Sequence, residues 1–297
     1  MIDLINELKG TGVAIVTPFK SDFSVDYNSI NKLVEYVING GVNYIVVHGT
    51  TGESSTLSED EKIKSRKAFV AANKGRVPLI IGIGSNHTKS LVDYIKNSDL
   101  KGFSAILSVT PYYSKPTQEG LFQHFSMVAK SSTIPLILYN VPSRTSCNLK
   151  PETAIKLANH NENIIGIKEA IGDMEQMNFL INNKPNNFLV ISGDDETASN
   201  SVLNGADGVI SVAAGCIPES FSSVINFALK RDKFNTQKIS DSIKPFLKLL
   251  FLEGNPSGIK AALSLKNLCE NKLRLPLIPV TNKLMKEIAK FIYEKSY

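Results

Sequence analysis

Short β-rich runs alternate along the chain with longer stretches in which apolar residues recur at helical spacing. This alternation continues through about the first 230 residues, and a strand followed by an amphipathic helix is the repeating unit of α/β folds with a parallel sheet. Eight such units are predicted, with strands at 13–19, 44–48, 77–83, 105–109, 135–139, 163–170, 188–192 and 208–212.

Eight βα units predict an α/β fold of the (β/α)8 TIM barrel type over residues 1–232. An open, doubly wound sheet is the alternative that the same pattern allows. Residues 233–297 show helical periodicity near 235–252, 256–270 and 280–295, and no Gly/Ser-rich or Pro-rich linker precedes them. We therefore expect a C-terminal helical extension that packs on the barrel.

The composition is that of a globular protein with a sizeable core. Of the 297 residues, 42% are hydrophobic and 21% charged, which argues against a disordered chain. No apolar run approaches the ~18 residues of a membrane span, and the first residues lack the pattern of a secretory signal. The three cysteines, Cys147, Cys216 and Cys269, are scattered without paired spacing. We expect a cytoplasmic protein with no membrane partner.

Charge and histidine spacing argue against nucleic acid and metal. The net charge is +5, and the basic excess lies after Lys230 along helical patterns without interleaved aromatic residues, which predicts solvated helix faces. The four histidines are far apart in sequence, and the pair Asp194–Asp195 has no histidine near it. Nucleotide-binding glycine motifs are absent as well. We expect no metal and no cofactor.

One lysine interrupts an apolar predicted strand. Residues 163–170 read Asn-Ile-Ile-Gly-Ile-Lys-Glu-Ala, so Lys168 falls in a run expected to be buried on both faces. Burial penalises the charged form of an amine, and a neutral amine can condense with a ketone to form a Schiff base. The competing interpretation is a strand-end lysine whose stem is buried and whose head reaches water.

Two further features suit a carboxylate ligand at the strand ends where barrel enzymes carry their active sites. The turn at 49–53 after the second predicted strand offers backbone N–H groups and the hydroxyls of Thr50 and Thr51. Arg144 follows the fifth predicted strand, and its guanidinium can hold a carboxylate through two hydrogen bonds. The alternatives are an ordinary turn and a surface arginine.

Three tyrosines lie at the same strand ends: Tyr112 and Tyr113 follow the fourth predicted strand, and Tyr139 is the last residue of the fifth. Each is suited to core packing or to proton transfer. Gly193 follows the seventh predicted strand, and Ile210 lies in the eighth. Residues more than 100 positions apart would thus surround one cavity, which favours a functional role for Lys168.

Seven motifs in this order resemble the dihydrodipicolinate synthase family, the class I pyruvate aldolases and lyases that include N-acetylneuraminate lyase. They are GTTGES at 49–54, TPYY at 110–113, QEGLFQHF at 118–125, YNVPSRT at 139–145, GIKEA at 166–170, SGDD at 192–195 and GVISV at 208–212. The resemblance runs from the first strand nearly to the C-terminus. The arginine of PSRT, the pair Asn255-Pro256 and RLPL at 274–277 are similar to the synthase branch.

The resemblance implies that Lys168 forms a Schiff base with pyruvate, whose carboxylate Thr50 and Thr51 hold. It implies a proton relay of Tyr139, Thr51 and Tyr113, in which Tyr113 reaches in from a neighbouring subunit. It also implies a homotetramer, a dimer of dimers, that needs no cofactor.

For the second substrate, the resemblance implies that the enamine attacks the aldehyde of L-aspartate 4-semialdehyde, whose carboxylate Arg144 binds. Gly193 and the Ile210 carbonyl would line the pyruvate pocket. The product would be 4-hydroxy-tetrahydrodipicolinate, in diaminopimelate and lysine biosynthesis.

Two competing functions remain open at this stage. Another class I lyase, acting on sialic acid or a 2-keto-3-deoxy-sugar acid, would share Lys168, Tyr139 and the threonine pair but would not need Arg144. A barrel that only binds carboxylates would perform no imine chemistry at all.

Two departures from the family pattern carry expectations. Lysine-inhibited members have histidines shortly after GTTGE and a glutamate after the third strand, whereas this chain has Glu59, Lys62 and Ser90 and keeps Ser54, Asn86 and Tyr112. Because the charge of Lys62 should repel a lysine ammonium, we expect weak or absent feedback inhibition. At 255–258 the chain reads Asn-Pro-Ser-Gly where the synthase commonly reads Asn-Pro-x-Pro, a departure expected to touch no catalytic residue.

Overall fold

Eight parallel strands close into a barrel in chain order. The computed structural model describes residues 2–294. The final pairing, between β1 and β8, closes the ring and excludes the open doubly wound sheet. The strands are β1 Gly10–Ala14, β2 Tyr44–Val47, β3 Leu79–Gly82, β4 Ala105–Val109, β5 Leu136–Asn140, β6 Ile164–Glu169, β7 Leu189–Ser192 and β8 Gly208–Ser211.

Thirteen α-helices are found within residues 2–294. One precedes the barrel, one follows each strand around it, one short helix lies in the loop after β5, and three follow the barrel. They are α1 Ile2–Glu7, α2 Tyr27–Asn39, α3 Glu59–Asn73, α4 Thr88–Asn97, α5 Gln118–Ser131, α6 Pro142–Thr145, α7 Pro151–His160, α8 Met174–Asn183, α9 Ala198–Asn204, α10 Pro218–Leu229, α11 Lys233–Phe251, α12 Ser257–Leu265 and α13 Asn282–Glu294. Helix α1 was not anticipated from the sequence.

The first strand begins earlier than the apolar pattern predicts. It was expected at 13–19 and is found at Gly10–Ala14. Its first half contains Gly10 and Gly12, where side chains of neighbouring residues lie too close to leave room for a Cβ atom. A Cβ on Gly12 would lie 2.1 Å from the ring of Tyr44, which fills the barrel interior. Pro18, within the predicted range, has no N–H to donate to a neighbouring strand.

The C-terminal helices α11, α12 and α13 pack on one another and on the barrel, close to the predicted positions. Phe246 and Phe291 stack with ring centroids 4.9 Å apart. Gly258 lets α12 approach α11, because a Cβ there would lie 2.1 Å from the carbonyl oxygen of Leu250. The predicted end of the last helix, at 295, lies outside the described residues. None of the helices within 2–294 combines the length and apolar character needed to cross a membrane.

Candidate active site

Lys168 points into the barrel because β6 carries an irregularity. Ile165 lies in the interior cluster, so strict alternation would turn Lys168 outward. The register with β5 shifts between Leu136 and Ile137, which pair with Ile164 and Gly166 and leave Ile165 as an extra residue. Lys168 then pairs with Tyr139, an interior residue. The shift places the amine among the interior side chains near the carboxyl ends of the strands.

The surroundings of this amine are apolar and lack a counter-ion. Lys168 is 6% exposed and Tyr139 is 7% exposed. The Nζ atom lies 4.3 Å from the centre of the Tyr139 ring. Among residues 2–294, no carboxylate lies within ion-pair distance of Nζ. Gly193 leaves room for the stem, since a Cβ there would lie 2.9 Å from Lys168 Cε.

The neighbouring carboxylate of Glu169 is turned away from Lys168 and held by amides. Asn140 Nδ2 donates to both of its oxygens, at 3.1 and 2.9 Å, and Gln176 Nε2 donates over 2.9 Å. Burial raises the pKa of Glu169 to about 6, and these hydrogen bonds oppose the rise. Glu169 therefore connects the end of β6 to β5 and α8 through hydrogen bonds, and it does not pair with Lys168.

The threonine turn after β2 is one turn of 3-10 helix, Thr50–Gly52. Thr51 is buried and Thr50 is exposed. Asn255 Nδ2 donates to Thr51 Oγ1 over 3.0 Å, and Thr17 Oγ1 donates to the carbonyl of Gly52 over 2.6 Å. Because its oxygen accepts from Asn255, the Thr51 hydroxyl keeps its own proton free to donate.

A cavity of about 680 Å³ opens at this end of the barrel. Thr50, Tyr139 and Arg144 all line it. Arg144 lies on α6, which begins at Pro142, and its side chain is exposed. Tyr139 lines the cavity and also contacts Lys168, so it links the open space to the amine. The structure thus brings together residues from β5, β6 and the loops after β2 and β5.

Tyr113 stands apart from the other predicted site residues. It is 89% exposed, with φ of 73° in the left-handed region. The adjacent Tyr112 is also exposed but lines the cavity. A relay that includes Tyr113 is therefore not assembled within one chain.

Ile210 is buried in the interior cluster on β8, in register with Gly12 of β1. The end of this strand is fixed by Asp195, whose Oδ2 accepts the N–H groups of Val212 and Ala213 at 3.1 and 2.8 Å. Burial raises the pKa of Asp195 to about 6, opposed by these hydrogen bonds. The Asp195 carboxylate thus binds backbone N–H groups just after β8. No cluster of three potential metal ligands occurs among the described residues.

The residues expected to decide lysine sensitivity border the same cavity. Lys62 pairs with Glu59 at 2.7 Å, so part of its charge is neutralised. Arg66, which sequence analysis overlooked, also lines the cavity, is buried, and donates to the hydroxyl of Tyr94 over 2.6 Å. Two cationic side chains, Lys62 and Arg66, therefore border this part of the cavity. The remaining residues of this group are Ser54, Ser90 and Tyr112, which line the cavity, and Asn86, whose side chain donates to the Tyr112 carbonyl.

Three residues of the C-terminal extension contact the loop at 50–56, which contains the threonine turn, and these contacts were not anticipated. Asn255 reaches Thr51, while Lys260 and the backbone N–H of Arg274 both reach Glu53. Asn255 keeps the family pattern, whereas the departure at Gly258 lies against Leu250 of α11. A signal was present, since Lys260 interrupts an apolar run on α12 as Lys168 does on β6.

Comparisons with known proteins agree on one family. The sequence model of the dihydrodipicolinate synthetase family matches residues 7–295. The 4-hydroxy-tetrahydrodipicolinate synthase of Flavobacterium psychrophilum is 49% identical over 97% of this chain and 98% of its own. That of Parabacteroides distasonis is 45% identical over 95% and 96%. The structure of the chloride-inhibited dihydrodipicolinate synthase from Acinetobacter baumannii complexed with pyruvate superposes with a TM-score of 0.94, at 41% identity over 97% and 99% of the chains.

Proposed function

This chain belongs to the dihydrodipicolinate synthetase family, and we propose that it condenses pyruvate with L-aspartate 4-semialdehyde to give 4-hydroxy-tetrahydrodipicolinate. The enzyme is a lyase of diaminopimelate and lysine biosynthesis. The observation that carries this proposal is the buried, unpaired amine of Lys168 against Tyr139 at the carboxyl end of the barrel. The full-length similarity to synthases supports this reaction over that of a sugar-acid lyase.

In the first half-reaction, the Lys168 amine attacks the ketone carbon of pyruvate and water leaves, which forms a Schiff base. Thr50 and Thr51 hold the pyruvate carboxylate through backbone N–H groups and hydroxyls. Loss of a methyl proton then gives the enamine. Gly193 and the Ile210 carbonyl border the bound keto acid. The amine that attacks is buried and lies against the Tyr139 ring, at the end of the barrel where the cavity opens.

In the second half-reaction, the enamine carbon attacks the aldehyde of L-aspartate 4-semialdehyde. Arg144, at the cavity mouth, binds the carboxylate of that substrate. The substrate amine then attacks the imine carbon, closes the ring and releases Lys168. Arg144 supports a carboxylate-bearing second substrate because it lines the cavity with an exposed guanidinium.

Protons move through Tyr139, Thr51 and Tyr113 in this proposal. Because Tyr113 is almost fully exposed within one chain, its place in the relay requires a second subunit. We therefore propose that the active enzyme is a homotetramer in which paired subunits exchange Tyr113. The proposed compartment is the cytoplasm, where the three buried free cysteines stay reduced.

Reduction of the imine tests the proposed function. Incubation with pyruvate and borohydride should inactivate the enzyme and add one reduced pyruvate to the chain. Addition of L-aspartate 4-semialdehyde with pyruvate should give the cyclic product, whereas N-acetylneuraminate should not be cleaved. An enzyme that gains no mass with pyruvate would refute the proposal, and cleavage of the sugar acid at a comparable rate would favour the other lyase.

A further inference from the structure

We propose that Glu53 is a positioning residue for the pyruvate carboxylate and that Lys260, from the C-terminal extension, holds it in place. The inference rests on the proposed function, since it gives Thr50 and Thr51 a part in binding pyruvate. Glu53 directly follows the threonine turn, and its backbone N–H donates to the Thr50 carbonyl over 3.1 Å. A shift of Glu53 therefore moves the turn.

Glu53 adopts a backbone conformation that needs outside support. Its φ of 50° lies in the left-handed region, which residues with a side chain occupy at a cost unless their surroundings compensate. The Glu53 carbonyl accepts hydrogen bonds from the backbone N–H and the hydroxyl of Thr56, each at 3.0 Å. The contacts to its carboxylate come from a part of the chain about 200 residues away.

The first of these contacts is a fully buried ion pair. Lys260 Nζ lies 2.5 Å from Glu53 Oε1, and both side chains are 0% exposed. Lys260 Nζ also donates to the carbonyl of Lys272 over 2.8 Å and lies 4.1 Å from the centre of the Phe19 ring. Burial lowers the pKa of Lys260, while the Glu53 carboxylate opposes that change and favours the charged form.

Arg274 supplies the second contact and extends it to the rest of the loop. Its backbone N–H donates to Glu53 Oε2 over 3.1 Å, and its guanidinium donates to the carbonyl of Thr56 over 2.8 Å. The same guanidinium pairs with Glu61 on α3 at 2.5 Å. Together with the bond from Asn255 to Thr51, the extension holds the loop at Thr51, Glu53 and Thr56.

A role in positioning explains why this pair is ionic. Burying two opposite charges adds little stability over a well-packed apolar pair, because desolvation nearly offsets their attraction. An ion pair with fixed hydrogen bonds does, however, set direction, and ligand-binding groups must be held to within about 0.5 Å. The pair between Lys260 and Glu53 thus fixes the N–H groups and hydroxyls of the threonine turn.

The test separates positioning from stability with three variants, Lys260→Met, Glu53→Gln and the double variant. For each, the pyruvate concentration that half-saturates borohydride trapping is measured, together with KM for L-aspartate 4-semialdehyde and the unfolding temperature. Lys260→Met should lose stability because it leaves a buried carboxylate unpaired. The double variant should recover most of that loss.

The decisive readout is pyruvate binding in the double variant. We expect half-saturation at about tenfold higher pyruvate, as for a weakened hydrogen bond to a bound carboxylate. Glu53→Gln should show the same change. At saturating pyruvate, KM for the semialdehyde should stay within about twofold of the wild-type value, because Arg144 is untouched.

Lys184→Met is the matched control. It removes the ion pair with Asp207, which directly precedes β8 and so lies at the amino end of the strands. This variant should unfold at a lower temperature and bind pyruvate as the wild type does. A folded double variant with wild-type pyruvate binding, or an equal effect of Lys184→Met, would overturn the inference while leaving the proposed function intact. Failure of the wild type itself to be trapped would instead refute the proposed function.

Discussion

Two lysines interrupt apolar runs of this chain, Lys168 on β6 and Lys260 on α12, and they differ in whether the amine has a charged partner. Both are buried, and each Nζ faces an aromatic ring, at 4.3 Å from that of Tyr139 and 4.1 Å from that of Phe19. Lys260 is paired with Glu53, whereas no carboxylate among the described residues reaches Lys168. An interrupted apolar run therefore marks both buried amines, although only Lys168 was predicted from it, and the partner decides which amine is available for chemistry.

The largest effect is expected from replacing Lys168, the lysine without a charged partner. Lys168→Ala removes the proposed nucleophile and should lower kcat by about 10⁴-fold or more. The free energy of unfolding should stay the same or rise, because a buried amine without a counter-ion is costly. Steady-state assays and urea denaturation measure the two quantities. Lys168→Arg, which keeps a long nitrogen-bearing side chain but forms no imine, should be equally inactive. Turnover in either variant would contradict the role of Lys168 as the nucleophile.

Stability should respond in the opposite way at Lys260. Lys260→Met leaves the Glu53 carboxylate buried and unpaired, which should cost about 3–5 kcal/mol in the free energy of unfolding. Denaturation in urea measures this loss, and the same measurement on Lys168→Ala provides the comparison. If the two variants proved equally stable, pairing would not be what distinguishes the lysines.

Arg144 is an exposed cation, in contrast to the two buried lysines, and its proposed role is to bind the carboxylate of the second substrate. Arg144→Ala should raise KM for L-aspartate 4-semialdehyde by about 10- to 100-fold, the effect of losing charged hydrogen bonds to a carboxylate. Trapping of pyruvate on Lys168 should be unchanged, because that step precedes the second substrate. A variant with normal KM for the semialdehyde would remove Arg144 from the site.

The cluster around Lys260 also predicts a pH dependence of stability. Arg274 lowers the pKa of Glu61 to about 2 from its ordinary value of 4.5. A lowered pKa gives stability that is present above about pH 4.5 and is lost as pH falls toward 2. Glu61→Gln should therefore lose less stability than the wild type between pH 5 and pH 3 in calorimetric or urea measurements. An unchanged pH slope would contradict the pairing with Arg274.

The smallest expected effect concerns Lys62, an amine at the cavity wall that is paired with Glu59. Because Lys62 and the nearby Arg66 both oppose a lysine ammonium, millimolar lysine should leave the rate almost unchanged. Assays at subsaturating pyruvate with added lysine measure this. Halving of activity would show that the Glu59 carboxylate outweighs the two cations.

Much of the fold could be predicted from the sequence, because strand and helix periodicities are local signals. The barrel and the three C-terminal helices followed from them. The first strand was misplaced because its glycines carry no apolar signal and are required by neighbours, such as the Tyr44 ring against Gly12, that come from other strands. Helix α1 has six residues, of which Ile5 is buried, so its apolar pattern is too short to predict a helix.

For the candidate site, the motifs led to residues that lie at one end of the barrel, but they did not reveal the long-range partners of these residues. Lys168 was singled out correctly as a buried residue, yet its inward direction depends on the register shift in β6, which no local pattern reveals. The contacts from Asn255, Lys260 and Arg274 join positions about 200 residues apart. Such pairings are set by how the extension packs on the barrel, and spacing along the chain does not encode them.

Peptide mapping of the borohydride-reduced pyruvate adduct tests the central claim most directly, since both lysines are present in one sample. The account predicts a single modified residue, Lys168, with Lys260 unmodified even at saturating pyruvate. An adduct on Lys260 or on another lysine, or no adduct at all, would contradict it.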